Sequence, residues 1–189
     1  IIAVGGCMAQ EPGKAQVLKE KFPFIDIIFG THNIFELASL IERKKSEKRV
    51  ISLYEDRLET EDGAPACRTS YPNAWVNITY GCNNFCTYCI VPYVRGRERS
   101  RSADVIVEEC RALIAEGYKE ITLLGQNVNS YRDGDVDFPE LLDRVAAIEG
   151  KFRLRFMTSH PKDFSERLVA VMKKHDKILN LLHLPAQSG

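Results

Sequence analysis

Four short strand-like runs, at residues 75–80, 120–124, 153–158 and 181–184, recur along the chain, and a loop and a helical stretch follow each of the first three. The helical stretches fit 103–116, 138–148 and 165–174. A strand that is followed at once by a helix rejoins its neighbour as a parallel pair, because the helix has to cross back over the sheet. This rhythm predicts an α/β fold. Consecutive units of this spacing suggest a (β/α) barrel or part of one, with chemistry gathered beyond the carboxyl ends of the strands. Four units are too few to close such a barrel.

The first third of the chain has the same rhythm on a smaller scale. Strands are expected at 1–5, 25–29 and 50–54, and together they imply a second parallel sheet. The first of them reads as a buried strand with Cys7 in the turn after it. Glu11-Pro12 is expected to open a helix with Val17 and Leu18 on its apolar side. Asn33, with Glu36 three residues later, resembles a capping box for a helix through about residue 45, whose buried stripe is Phe35, Leu37, Leu40 and Ile41. Residues 55–66 then carry five acids against one Arg, with Gly63 and Pro65. They read as an exposed linker, so the expected domains are 1–66 and 67–189. A chain that begins and ends inside apolar strands is expected to be a piece of a longer protein, and by itself inactive.

Composition narrows the partners. Apolar residues are 44% of the chain and no run approaches the roughly 18 uncharged apolar residues of a membrane helix. Lys and Arg total 26 and Asp and Glu total 26, so any contact with nucleic acid has to come from a local basic patch. Six cysteines are too few for a disulfide scaffold of this length, and with no secretory n-region or h-region in these residues the protein is expected to carry no leader. A reducing cytoplasm is the expected compartment.

Half of those cysteines lie together. Cys82, Cys86 and Cys89 form a C-x3-C-x2-C run directly after the strand at 75–80. Three thiolates this close can face one centre only from a loop that wraps around it. Disulfides would leave one of the three unpaired, and a zinc site asks for four ligands and usually shows paired C-x2-C units. Thiolates are the usual ligands of iron–sulfur clusters. Three of them on a 4Fe–4S cubane leave one iron with an open position.

With Tyr88 before the last cysteine, the run becomes C-x3-C-x-Y-C and resembles the signature of the radical S-adenosylmethionine (SAM) superfamily. The resemblance implies that the open iron chelates the methionine end of SAM, and that Tyr88 lies beside the cofactor. Gly5-Gly6-Cys7-Met8-Ala9-Gln10 resembles a segment of the methylthiotransferases within that superfamily. There Cys7 would be one of three ligands of an auxiliary 4Fe–4S cluster, the other two lying before Ile1. The stretches around Phe29-Gly30-Thr31-His32-Asn33, Gly81 to Arg101, Leu123 to Tyr131, Thr158 to Asp163 and His183 to Gly189 extend the resemblance over nearly the whole chain.

The family implies a reaction as well. One SAM methylates sulfur held at the auxiliary cluster, and a second furnishes the radical that attacks carbon 2 of N6-dimethylallyl-adenosine 37 in tRNA. Relatives acting on threonylcarbamoyl-adenosine tRNA or on a ribosomal-protein aspartate are the alternatives. A non-catalytic zinc-binding RNA module is the alternative of another class. Two 4Fe–4S clusters, SAM, the tRNA, an electron donor such as a flavodoxin or ferredoxin, and a monomeric state are what the resemblance implies.

Other candidates rest on position. Gly125, Gln126 and Asn127 follow the strand at 120–124, where this superfamily often carries a Gly-rich cofactor segment; an ordinary turn is the alternative. Ser159 ends the third strand and Gln187 follows the fourth, both suited to a barrel mouth. His160 fits a structural loop residue as well as a substrate contact, and His32 and His183 read as structural. Arg95, Arg97, Arg99 and Arg101 alternate, and in an extended segment they would form one row of guanidinium groups for phosphates. Tyr80, Phe85, Tyr88 and Tyr93 could stack on a splayed base. Cys67 and Cys110 read as structural or incidental.

Overall fold

Ile27, Ile28 and Phe29 are all buried, which a strand achieves only at the centre of a sheet covered on both faces. The computed structural model describes residues 1–54 and 67–185, and it places these three in β2 (Ile27–Phe29), between β1 (Ala3–Gly5) and β3 (Val50–Ser52) in a parallel sheet of order β1-β2-β3. Alternation decides what each residue meets. Ile28 packs with Ala9 and Ala15, carried by the helices α1 (Cys7–Gln10) and α2 (Lys14–Lys21). Ile27 and Phe29 turn to the other face and meet Leu40 of α3 (Leu37–Lys44). A buried Leu of this kind contributes about 1.5–3 kcal/mol.

Four expectations for this region change. Cys7 opens a one-turn helix instead of standing in a plain turn. The next helix starts at Lys14, not at Glu11-Pro12, because Gly13 adopts a left-handed conformation (φ 78°) that no continuous right-handed helix can include. Phe35 lies in a 3-10 turn before α3 and is 57% exposed, so the buried stripe is Leu37, Leu40 and Ile41 alone. The first strand is at the edge of its sheet, and Ile1 and Ile2 are exposed. The expected linker and boundary at 55–66 lie outside the described residues.

The described residues divide into two compact units. Residues 1–54 group with 81–97, and residues 67–80 group with 98–185. The cysteine-rich loop therefore clusters with the first unit, where it leads into α4 (Val91–Arg95).

The second unit is built on β4 (Asn73–Asn77), β7 (Glu120–Leu124) and β10 (Arg153–Phe156), parallel and in the order β10-β7-β4. Ala74, Val76, Ile121, Leu123, Leu154 and Phe156 share the buried face. The helices α5 (Ala103–Ala115), α6 (Phe138–Ala146) and α7 (Glu166–Lys174) supply much of the rest of that core. Trp75, Thr122 and Arg155 stand in register on the second face, and Trp75 is 62% exposed. The helix starts are chemically marked: Asp137 and Ser165 accept from the backbone N–H of Glu140 and Leu168, and Asp133 accepts from that of Ala103.

The expected strand at 75–80 is two strands. After β4 the chain breaks at Ile78, and β5 (Thr79–Tyr80) pairs antiparallel with β6 (Arg99–Ser100). A second hairpin, β8 (Arg132–Asp133) with β9 (Val136–Asp137), follows the loop after β7. The fourth strand is not at 181–184. The neighbour of β10 comes earlier, as a single parallel bridge between Leu154 and Ile178. His183 is occupied elsewhere, its carbonyl and Nδ1 accepting from the N–H groups of Ser159 and Thr158. Those bonds tie 183 to the turn after β10 and leave the ladder unextended. Among the described residues no helix is long and apolar enough to cross a membrane.

Candidate functional site

Two sets of residues carry the chemistry, one in each unit. In the first unit, backbone contacts hold the base of the cysteine-rich loop. Gly81 sits at φ 72°, and the Cys82 N–H donates to the carbonyl of Gly96 at 3.2 Å. Halfway along, Phe85 takes φ 44°, a left-handed conformation unfavourable for a residue with a Cβ, and it bends the loop back. The Cys89 N–H then donates to the Cys86 carbonyl at 2.9 Å, closing a tight turn between the second and third thiols. Cys82 is buried, whereas Cys86 and Cys89 are half-buried.

The helix beyond the loop is anchored. Pro92 and Val94 of α4 are buried, the Thr31 hydroxyl donates to the Val94 carbonyl at 2.5 Å, and α1 lies against α4. The helix that begins with Cys7 is thus packed beside the helix that follows Cys89. Tyr88 is 69% exposed; Phe85 and Tyr93 are exposed too, with their rings edge to face at 5.7 Å.

Among the described residues, no three His, Cys, Asp or Glu side chains converge on a single metal ion. A zinc site requires that convergence, with thiolates about 2.3 Å from one ion. A cubane is a less compact demand, since its thiolates bind separate iron corners around a body of four irons and four sulfides. Three thiols on an irregular eight-residue loop suit the second demand in donor type and in number.

In the second unit, buried polar atoms gather past the carboxyl ends of the parallel strands. Thr79 Oγ1 beyond β4, Gln126 Oε1 and both ends of the Asn129 amide beyond β7, and Ser159 Oγ beyond β10 are buried without a hydrogen-bond partner. Each such group costs about 1–3 kcal/mol when left unsatisfied. A cluster of them at this edge fits a small polar ligand that completes the bonds, and it is where parallel sheets bind ligands. Gly125 is there for space: a Cβ on it would come within 2.1 Å of Thr79 Oγ1. Thr158, a β-branched residue at φ 66°, adds local backbone strain, which is concentrated at functional sites.

The other expected site residues take different places. Asn127 is buried and fully engaged: its Nδ2 donates to Asp163 at 2.6 Å and its Oδ1 accepts from the His160 N–H at 3.2 Å, so it is a strut of the site. His160 Nδ1 accepts from the Lys162 N–H, a structural role. Gln187 lies outside the described residues. The four arginines do not share one extended segment, because its first residue is helical. Arg95 closes α4, Arg99 lies in β6, and Arg101 is only 6% exposed. The Arg101 guanidinium donates to the Asn77 carbonyl at 2.7 Å and pairs with Glu109 at 2.9 Å, and Arg68 pairs with that same carboxylate. Cys110 is fully buried, and desolvation, with Glu109 beside it, pushes its thiol up to about 12. Cys67 is exposed.

Glu98, Ser130, Asn129 and Asp163 were not singled out as site residues by sequence reasoning. Ser130 Oγ lies 2.6 Å from Glu98 Oε2. Burial, and secondarily Asp163, pushes the Glu98 carboxyl up, against the opposing Ser130 hydrogen bond. Only the polar character of the 126–130 stretch could have pointed to Asn129 and Ser130, and no local signal marks Glu98 or Asp163.

A thiol-rich loop in one unit and a parallel sheet with an unsatisfied polar edge in the other are the features of one class of enzyme. Residues 76–189 match the radical SAM superfamily, and the chain belongs to it. Over its entire length the chain is 54% identical to the tRNA-2-methylthio-N(6)-dimethylallyladenosine synthase of Clostridium tetani and 53% identical to that of a Thermoanaerobacter species. The alignments cover 100% of this chain and 43% and 41% of those relatives, so the chain spans about two fifths of their length. Among solved structures, the radical S-adenosylmethionine methyltransferase TsrM from Kitasatospora setae, with cobalamin and a 4Fe-4S cluster bound, has a TM-score of 0.48 at 18% identity, over 59% of this chain and 22% of that one.

Proposed function

We propose that this chain is part of a cytoplasmic radical SAM methylthiotransferase that places a methylthio group on carbon 2 of N6-dimethylallyl-adenosine 37 in tRNA. The observation that carries this reading is the identity of 54% in an alignment that covers the entire chain, the Cys7 segment and the C-x3-C-x2-C loop included. In this reading Cys82, Cys86 and Cys89 hold a 4Fe–4S cluster, and Cys7 is one ligand of an auxiliary cluster. The cluster with bound SAM supplies one-electron cleavage of the sulfonium, which an unactivated aromatic C–H requires.

The chain's own residues have three tasks. The Gly81 base and the Phe85 bend present the three thiols from one loop. Gln126, Asn129, Ser159 and Thr79 offer buried polar atoms to the cofactor, with Gly125 leaving room. Arg95 and Arg97 are the candidates for contact with phosphates of the tRNA, while Arg101 is structural. An electron donor of the flavodoxin or ferredoxin class and a monomeric enzyme complete the reading.

Nucleoside mass spectrometry tests it. A strain lacking the gene is expected to lose the 2-methylthio mark from prenylated adenosine and to regain it with the full-length gene. Loss of the mark from threonylcarbamoyl-adenosine instead, with the prenylated nucleoside intact, contradicts the substrate assignment.

A further inference from the structure

Three consecutive residues at the end of β2 grip two helices. The Phe29 carbonyl accepts from the Gly6 N–H at 3.3 Å, at the start of α1. Gly30 takes the other end of that helix. A Cβ on it would come within 1.8 Å of Gln10 Oε1, so the Gln10 amide fills the notch that the missing side chain leaves. The same amide donates through Nε2 to the Tyr54 carbonyl at 2.8 Å, just past β3. Its Oε1 is buried with no hydrogen-bond partner, so close packing against Gly30 holds that end. Thr31 then turns to the second helix, its hydroxyl donating to the Val94 carbonyl of α4 at 2.5 Å. The turn itself is pinned to β3: the Gly30 N–H donates to the Ser52 carbonyl at 3.1 Å, and the buried Asn33 donates through Nδ2 to Ser52 Oγ at 3.2 Å.

The two helices held in this way are the two that carry or follow thiols. Cys7 is the first residue of α1, and α4 follows Cys89. We propose that Gln10 and Thr31 are positioning residues that lock the Cys7 helix and the helix after Cys89 onto one turn, residues 29–31, and so fix the spacing of the two cluster sites. The inference rests on the function proposed above, in which Cys7 and the C-x3-C-x2-C loop each serve a cluster. Every residue of the grip belongs to the first unit. The Thr31–Val94 bond spans 63 residues and takes no part in the β1-β2-β3 ladder, so the sheet forms without it. An amide and a hydroxyl are not the usual ligands of an iron–sulfur cluster, which leaves orientation of the thiol-bearing segments as their task. Gly30 has the matching role on the strand side, since any larger residue expels the Gln10 amide from its notch.

The test uses full-length protein, reconstituted anaerobically with iron and sulfide and reduced with dithionite, and pulsed EPR to read the distribution of distances between the two reduced clusters. Thr31→Val keeps the shape and removes the hydroxyl, Thr31→Ser keeps the hydroxyl, and Gln10→Met keeps the length and removes the amide. Thr31→Val and Gln10→Met are expected to shift or broaden the distribution by about 1 Å, the looseness that a site acquires without its supporting contacts. Thr31→Ser is expected to match wild type. Gly30→Ala, which displaces the Gln10 amide without deleting it, should reproduce Gln10→Met. Wild-type distributions in both Thr31→Val and Gln10→Met, or a Thr31→Ser as broad as Thr31→Val, overturn the proposal. Should the variants take up too little iron for this comparison, alkylation of Cys7 by N-ethylmaleimide in the cluster-free protein decides: faster labelling than in wild type supports the hold, and an equal rate overturns it. Wild-type protein that loads a single cluster would overturn the functional reading instead.

Discussion

Gly81 and Arg97 touch so closely that a Cβ on Gly81 would stand 2.1 Å from the Arg97 carbonyl oxygen and 2.6 Å from that of Gly96. Both obstacles are backbone, and Gly81 also sits at φ 72°. Gly81→Ala is therefore expected to cost about 1–3 kcal/mol and to loosen the base of the cysteine loop. Urea denaturation measures the first effect. Iron content after reconstitution measures the second and is expected to fall; a variant that melts and loads like wild type contradicts the account of the loop.

The Arg68–Glu109–Arg101 cluster is expected to matter for stability, not for RNA affinity. Glu109→Ala removes the carboxylate that the buried Arg101 shares with Arg68, a change that costs roughly 3–5 kcal/mol. The exposed pair Lys45–Glu42 is the control: Lys45→Ala should change stability by less than about 1 kcal/mol. Equal effects from the two in chemical denaturation would remove Arg101 from the core.

Thiol reactivity is expected to divide Cys110 from Cys67. The Cys110 thiol, pushed up to about 12 by burial, holds almost no thiolate at pH 8 and lies out of reach. Cys67 is exposed. Brief maleimide labelling of the native protein followed by peptide mass spectrometry should modify Cys67 and spare Cys110. Comparable labelling of both contradicts the packing of α5.

Two carboxyls give opposite pH dependences. Lys174 first, then His175, holds the Asp143 carboxyl below its ordinary value. The unfolded chain then binds the proton more readily, so this contribution is complete above about pH 4 and is lost as pH falls below it. Glu98 is raised, so the native state binds the proton more readily, and stability declines as pH rises from about 4 through the folded value. Urea midpoints of Asp143→Asn should be less sensitive than wild type below pH 4, and those of Glu98→Gln less sensitive above it. The reverse pattern would falsify the assignment of these two environments.

Much of this was legible in the amino-acid order because the relevant signals are local. The strand at 120–124 and the helix beginning at Ala103 appear where expected, since alternation and a helix start each depend on a few adjacent residues. The cysteine triplet is likewise a spacing of eight positions. What could not be read depends on distant partners. Arg101 looks like any exposed arginine until Glu109 and the Asn77 carbonyl are placed around it. The neighbour strand of β10 lies at Ile178 and not at 181–184, because His183 bonds to the turn at Thr158 and Ser159, 25 and 24 positions away. Glu98 is one acid among arginines until Ser130, thirty-two residues on, comes within 2.6 Å of it.

The most direct test of the central claim is the iron and sulfide content of anaerobically reconstituted full-length protein, with and without Cys82, Cys86 and Cys89 replaced together by alanine. The expected result is a loss of about four irons and four sulfides per chain in the triple variant, with the auxiliary cluster's share retained. Equal iron and sulfide in the two proteins would contradict the assignment of this loop.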